Sequence, residues 1–169
     1  MDDPGPAAPP RTVAHVITRL ELGGAQQNTL TTCRALAAAG WRVALIYGPG
    51  GELDRDLEDL SGVQLYPVDA LLRSLQPSRD AHALRRVRRI LAALDREHAQ
   101  SGGKRGDLIV HTHSSKAGII GRAGASSLGL KRIVHSIHGF PFHAGQPRAV
   151  FNAYLGAERA MARVTRAFI

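Results

Sequence analysis

Asp107-Leu108-Ile109-Val110-His111-Thr112-His113-Ser114-Ser115-Lys116-Ala117-Gly118 is the stretch that decides the fold. Leu108 to Val110 is a short apolar run with β-branched residues, which suits a strand covered on both faces. The run turns polar within two residues. Ser114 or Ser115 is placed to cap a following helix by accepting a hydrogen bond from an orphan backbone N–H. That helix continues through Ala117, Ile119, Ile120 and Ala123. His113, Ser114 and Lys116 therefore stand at the carboxyl end of a strand and the amino end of a helix, the edge where open α/β sheets bind ligands. Lys116 is out of place, because a cation in a first helical turn opposes the macrodipole at a cost of about 0.3 kcal/mol or more. Two readings follow for it: a lysine extending into water, or a lysine awaiting a phosphate.

The same alternation of strands and helices runs outward in both directions. Upstream, the pattern predicts strands at 13–18, 42–47 and 63–68, with a helix at 25–39, a short acidic helix at 52–60 and a long helix at 80–99. Downstream it predicts a strand at 131–137, a helix at 148–163 and the start of a strand at 165–169. Residues 1–11, rich in Pro and Ala, read as a disordered tail ahead of one domain over 12–169. The order is that of a single doubly wound parallel α/β sheet. The usual strand order 3-2-1-4-5 brings Gly23-Gly24, His113 to Lys116, and His138-Gly139 to one edge.

The chain has 169 residues, enough for one domain with a core of its own. A formal charge of +8 and a pI near 10.7 favour anionic company. Aromatic residues are only 5% of the chain, so stacked bases would find few platforms, and nucleic acid is not expected as a partner. The single cysteine, Cys33, excludes a disulfide framework and points to a reducing compartment. The first residues lack the apolar segment of a secretory signal, and no stretch is long and apolar enough to span a bilayer. The expectation is a cytoplasmic protein.

Three groups of residues carry the candidate chemistry. Gly23-Gly24 follows the first strand and opens a helix, where bare backbone lets an anion approach N–H groups. The fingerprint G-x-G-x-x-G is absent, and Tyr47-Gly48 stands where a dinucleotide site would place an acid. Gln26 in the first turn is placed to donate to a substrate hydroxyl or to cap its helix. Among the histidines, His111 reads as a satisfied core residue and His135 as structural. His113 and His138 end their strands at the ligand edge. A metal centre on His111, His113 and His138 has a possible His-x-His pair, but no Asp or Glu stands at these strand ends, and no metal is expected. Ser114 lacks the Gly-x-Ser-x-Gly context of a hydrolase nucleophile. Arg85, Arg86, Arg88, Arg89 and Arg96 fall largely on one face of the 80–99 helix, a solvated face or a seat for anionic lipid.

Four motifs in order resemble the N-terminal half of a GT-B glycosyltransferase of family 4. They are Leu22-Gly23-Gly24-Ala25-Gln26, Pro77-Ser78-Arg79-Asp80-Ala81-His82-Ala83-Leu84, His111-Thr112-His113-Ser114-Ser115-Lys116-Ala117-Gly118 and Val134-His135-Ser136-Ile137-His138-Gly139-Phe140-Pro141-Phe142. The closest likeness is to members that assemble polysaccharides on lipid-linked or surface glycans. The resemblance implies a Rossmann-like acceptor-side domain of a retaining enzyme that uses a UDP- or GDP-sugar without an essential metal or other cofactor. It assigns donor-phosphate binding to Gly23 and Gly24, acceptor binding to Gln26, His113, Ser114 and Lys116, and a catalytic place beside the reacting sugar to His138. It implies a glycan or lipid-linked acceptor, and with such an acceptor the basic face at Arg85, Arg86, Arg88 and Arg89 is expected to dock peripherally on the inner membrane face. Members of the family carry a second Rossmann-like domain with the donor pocket and a Glu-x7-Glu motif, so these residues alone are expected to be inactive. A non-catalytic binding module for an anionic ligand is the alternative, and a histidine-based metallohydrolase a third reading.

Overall fold

The computed structural model of the chain describes residues 11–139 and 145–169. Its elements in order are β1 (Thr12–Arg19), α1 (Gly24–Ala38), β2 (Arg42–Gly48), a 3-10 turn (Glu52–Leu57), β3 (Val63–Pro67), α2 (Pro77–Gln100), β4 (Ile109–His113), α3 (Ser115–Ser126), β5 (Arg132–Ser136), α4 (Arg148–Ala162) and β6 (Ala167–Phe168). The strands form one sheet in the order β3-β2-β1-β4-β5-β6, and every pairing is parallel. This is the doubly wound α/β sheet that the alternation predicts, with β6 added outside the fifth strand. The expected tail falls on residues 1–10, outside the described residues, apart from Arg11, whose carbonyl accepts the Arg42 N–H at 2.9 Å.

Two boundaries differ from the sequence pattern. α2 begins at Pro77 rather than Asp80, because proline at the first helical position gives up an N–H that has no helical partner anyway. The acidic 52–60 segment is a 3-10 run that stops at Leu57. The motif residues 140–144 lie outside the described residues.

The two-residue period of the strands divides the core into two layers. Ala14, Val16, Val110 and Ile133 pack with Val87 and Leu91 of α2 and Ile120 of α3. Val13, Ile17, Val43 and Leu45 pack with Leu30 and Cys33 of α1. α3 lies unusually close to the sheet. A Cβ on Gly121 would stand 2.6 Å from Thr112 Cγ2, and one on Gly118 would stand 2.5 Å from His135 Cε1. The glycines are three residues apart, so they share the helix face that meets β4 and β5. Arg122 is fully buried on the same helix. Its Nε donates to the Gly118 carbonyl at 2.9 Å and its Nη2 to Glu158 Oε2 at 2.7 Å, which ties α3 to α4. The close seating of α3 fixes its N-terminus beside the end of β1.

Candidate functional site

A cleft of about 490 Å³ opens at the carboxyl ends of β1, β4 and β5. Gly23, Gly24, Gln26, Ser114, Ser115, Lys116 and His138 line it, with Thr18, Glu21, Arg73 and Tyr154. The strand order thus brings together the three segments that lie far apart in sequence.

The first wall is the β1–α1 junction. Gly23 caps α1 in an extended conformation, with φ −174°. A Cβ on Gly24 would meet nothing within 4 Å. The first turn of α1 carries no acidic residue, so its orphan N–H groups face the cleft with their positive end uncompensated. Gln26 reaches back, and its amide Nε2 is 3.4 Å from the Arg19 carbonyl. The loop before α1 is held from below, where the Leu22 N–H donates to Glu52 Oε2 at 2.7 Å.

The second wall is the β4–α3 junction. Ser114 has φ 59° and ψ 159° and is the one non-glycine with positive φ among the described residues. It occupies the N-cap of α3 but makes no side-chain cap hydrogen bond, contrary to the expected capping role. Its left-handed backbone turns the hydroxyl toward β1, and Oγ lies 3.4 Å from Thr18 Oγ1.

Lys116 follows neither of the two readings of it. The residue is 6% exposed, and its Nζ lies 2.5 Å from Asp80 Oδ1 and also donates to the Ser74 carbonyl. All the helices of βα units start at this edge, so the first turn of α2 can offer a carboxylate to the first turn of α3. Asp80 is the partner that sequence reading missed, although it sits within a quoted motif. Its other oxygen, Oδ2, accepts the Gln76 N–H at 3.1 Å.

The histidines form a layer beneath the cleft. His113 is fully buried and does not line the cleft, because the two-residue period points it into the α1 side of the core with His111. The β1–β4 register pairs His15 with His111, which adds a third imidazole to that side. Ring centroids are 4.9 Å apart for His15 and His111, 5.2 Å for His15 and His113, and 4.1 Å for His111 and His113. His15 Nδ1 lies 2.9 Å from His113 Nε2, and His113 Nδ1 lies 3.4 Å from His138 Nε2. His111 Nε2 is satisfied by Ser136 Oγ at 2.8 Å, as its core reading requires. His135 is buried against Thr112, with Nδ1 2.9 Å from Oγ1. Only the β1–β4 register reveals His15, and no local pattern of the sequence encodes it.

Burial decides the charge of this layer. It pushes His15 down to about 3 and His111 down to about 4. Burial, then the neighbouring histidines, holds His113 well below its ordinary range. The cluster is therefore neutral at pH 7 and carries free lone pairs. His138 is exposed, and partial burial lowers its pKa as well. His15, His111 and His113 offer ring nitrogens within 4.8 Å of one another, a donor set that transition metals accept. The bond between His15 and His113 already engages two of those nitrogens.

Arg85, Arg86, Arg88, Arg89 and Arg96 are all exposed on α2, opposite buried Val87, Leu91 and Leu94. Arg88 Nε donates to Ser127 Oγ at 3.1 Å, and α2 packs on α3 along that line.

Comparison with known proteins gives two matches. A family model described as "Glycosyl transferase 4-like domain" matches residues 23–169. The chain is 31% identical over 157 residues to an Escherichia coli protein, UDP-Gal:alpha-D-GlcNAc-diphosphoundecaprenol alpha-1,3-galactosyltransferase. That alignment covers 93% of this chain and 37% of the length of the relative.

Proposed function

The chain belongs to the glycosyl transferase 4-like family, and on that premise we propose that it is the acceptor-binding half of a retaining, nucleotide-sugar-dependent glycosyltransferase of surface or exopolysaccharide synthesis. One observation carries the reading. The N-termini of α1 and α3 and the exposed His138 converge on one cleft. On this reading the N–H groups opening α1 take the donor diphosphate, where a helix N-terminus stabilises negative charge. Gln26 and the Ser114 hydroxyl orient the acceptor. His113 acts from behind them, buried out of the cleft, while Lys116 stays in the cleft wall at 6% exposure. Lys116, paired with Asp80, keeps the two first turns in place while adding little net charge.

His138 stands beside the reacting sugar as a neutral imidazole. Its work is positioning and stabilisation of developing charge, the terms that dominate transfer from an activated phosphate. A donor-binding domain supplies the opposite wall. One wall cannot align donor with acceptor or exclude water from the reaction. The name of the E. coli relative specifies a UDP-sugar donor and a lipid-diphosphate acceptor, and it supports a UDP- or GDP-sugar and a lipid-linked glycan as the substrates here. The exposed arginines of α2 support docking on an anionic membrane at the cytoplasmic face, each contributing about 1 kcal/mol near such a surface.

The experiment is sugar transfer from UDP- and GDP-sugars to a polyprenyl-diphosphate-linked glycan in vesicles. The expected result is no turnover by these 169 residues and turnover by the protein that includes the donor domain, faster on anionic than on neutral lipid. In that protein His138→Ala lowers kcat more than it raises KM. Transfer by the 169 residues alone overturns the half-site reading, and a change in KM alone overturns the role of His138.

A further inference from the structure

Three imidazoles form a chain from the core to the cleft. It starts at His15, buried at 0% exposure on β1, and passes through His113, also at 0%, at the end of β4. It ends on His138, exposed just past β5. The links are His15 Nδ1 to His113 Nε2 at 2.9 Å and His113 Nδ1 to His138 Nε2 at 3.4 Å. The outer link is long, as hydrogen bonds at ligand-free sites commonly are. The inner end is closed, because His15 Nε2 is buried and has no hydrogen-bond partner. His111 packs against both buried rings but gives its Nε2 to Ser136, so it stands outside the chain.

A neutral imidazole has one N–H and one lone pair. In a chain of neutral rings, one tautomer dictates the next. If His15 carries its proton on Nδ1, it donates to His113 Nε2. His113 must then carry its proton on Nδ1 and donate to His138 Nε2, which leaves the His138 proton on Nδ1. The opposite chain runs from His138 Nε2–H through His113 Nε2–H and ends on a buried His15 Nε2–H with no acceptor. The two chains differ in what they strand in the core. The first strands a lone pair and the second an N–H. A buried unsatisfied group is costly, and orphaned N–H groups are the rarer kind in folded proteins.

We propose that His15 and His113 are positioning residues that fix His138 as the Nδ1–H tautomer, so that His138 meets its ligand as a hydrogen-bond donor and not as a base. The proposal rests on the reading of His138 as the residue beside the reacting sugar. In that place a donor stabilises a phosphate or sugar oxygen as negative charge develops on it. The core thus sets the chemistry of a surface residue through two strands that only the fold brings together. Burial keeps His15 and His113 uncharged at neutral pH, so the chain orders protons without carrying charge inward.

Long-range 1H–15N NMR of the histidine rings in the 169-residue chain at pH 7.5 reads the protonated nitrogen of each ring directly. The expected spectrum shows His138 and His113 as Nδ1–H. His113→Phe keeps the ring volume and removes the donor, and it should move His138 from nearly all Nδ1–H to a majority of Nε2–H, the preference of free imidazole. His15→Asp puts an acceptor where the Nδ1 donor was, so His113 should turn to Nε2–H and His138 should follow it to Nε2–H. His111→Phe should leave His138 unchanged. A wild-type His138 found as Nε2–H overturns the proposal, as does a His138 tautomer indifferent to His113→Phe or to His15→Asp in a sample whose amide spectrum shows it folded. Should one variant fail to fold, the wild-type spectrum and the other variant still decide. The readout needs no sugar transfer, so it can fail while the functional reading stands, and the transfer assay can fail while the tautomer is as proposed.

Discussion

The two junctions that face each other across the cleft use their residues in opposite ways. At β1–α1, glycines sit where the backbone asks for none: Gly23 is extended at φ −174°, and Gly24 has open space where a Cβ would go. At β4–α3, a serine sits at φ 59° and ψ 159°, a region that is essentially reserved for glycine. Backbone comfort would exchange the residue types. On the proposed reading both are set by the cleft. One junction keeps a side chain out of it, and the other accepts strain to hold a hydroxyl in it.

The largest test of this contrast is acid, because both junctions stand on the same neutral histidines. Their pKa values are depressed in the fold, His15 to about 3 and His111 to about 4, with burial as the first cause. Above the ordinary value of 6.5, folded and unfolded chains bind the same protons at these rings, and the full stability is present. Below it the unfolded chain takes up protons that the folded one refuses, so stability falls as pH falls toward the folded pKa values. His15 alone should cost about 2 kcal/mol at pH 5. Urea unfolding followed from pH 7.5 to pH 5 checks this. A midpoint that does not move would show that the histidine layer is not neutral.

The next test separates glycines that serve packing from glycines that serve the cleft. Gly121→Val drives side-chain atoms into Thr112 Cγ2, which a Cβ alone would already approach to 2.6 Å, and should cost about 3 kcal/mol. Gly24→Val places its side chain in empty space and should stay within about 0.5 kcal/mol of the parent. On the proposed reading it would obstruct the donor diphosphate in the complete enzyme. Equal shifts in the urea midpoint would erase the distinction between the two junctions.

The sequence made the topology legible because alternation and period survive without tertiary detail. Leu108 to Val110 announces a buried strand, and parallel crossovers then leave few orders for the rest. Gly23-Gly24, Lys116 and His138 could be brought to one edge on that ground alone. What escaped depended on which side chain meets which across the sheet. His15 belongs with His111 only through a strand register that no local pattern encodes. Asp80 neutralises Lys116 from 36 residues earlier in the chain, residue 80 against residue 116, and a single lysine in a first turn does not reveal its partner. The end of a strand places His113 at the ligand edge, yet strand parity puts its ring in the core below the cleft.

The smallest effect is the most direct probe of the serine. A residue held in this region stores about 1–3 kcal/mol of backbone strain. Ser114→Gly releases it. Glycine also gains freedom in the unfolded chain, which takes back about 0.4–1 kcal/mol. The hydroxyl contact that is lost, 3.4 Å to Thr18 Oγ1, is long and contributes little. The balance is a chain more stable by about 1 kcal/mol. Ser114→Ala removes the same hydroxyl and keeps the strain, so it should be no more stable than the parent. The pair therefore separates backbone from side chain in one urea titration. If glycine and alanine give the same midpoint, no strain is stored at Ser114. If glycine alone is more stable, the fold is better without the serine, the result expected where the hydroxyl serves the cleft as the proposed function has it.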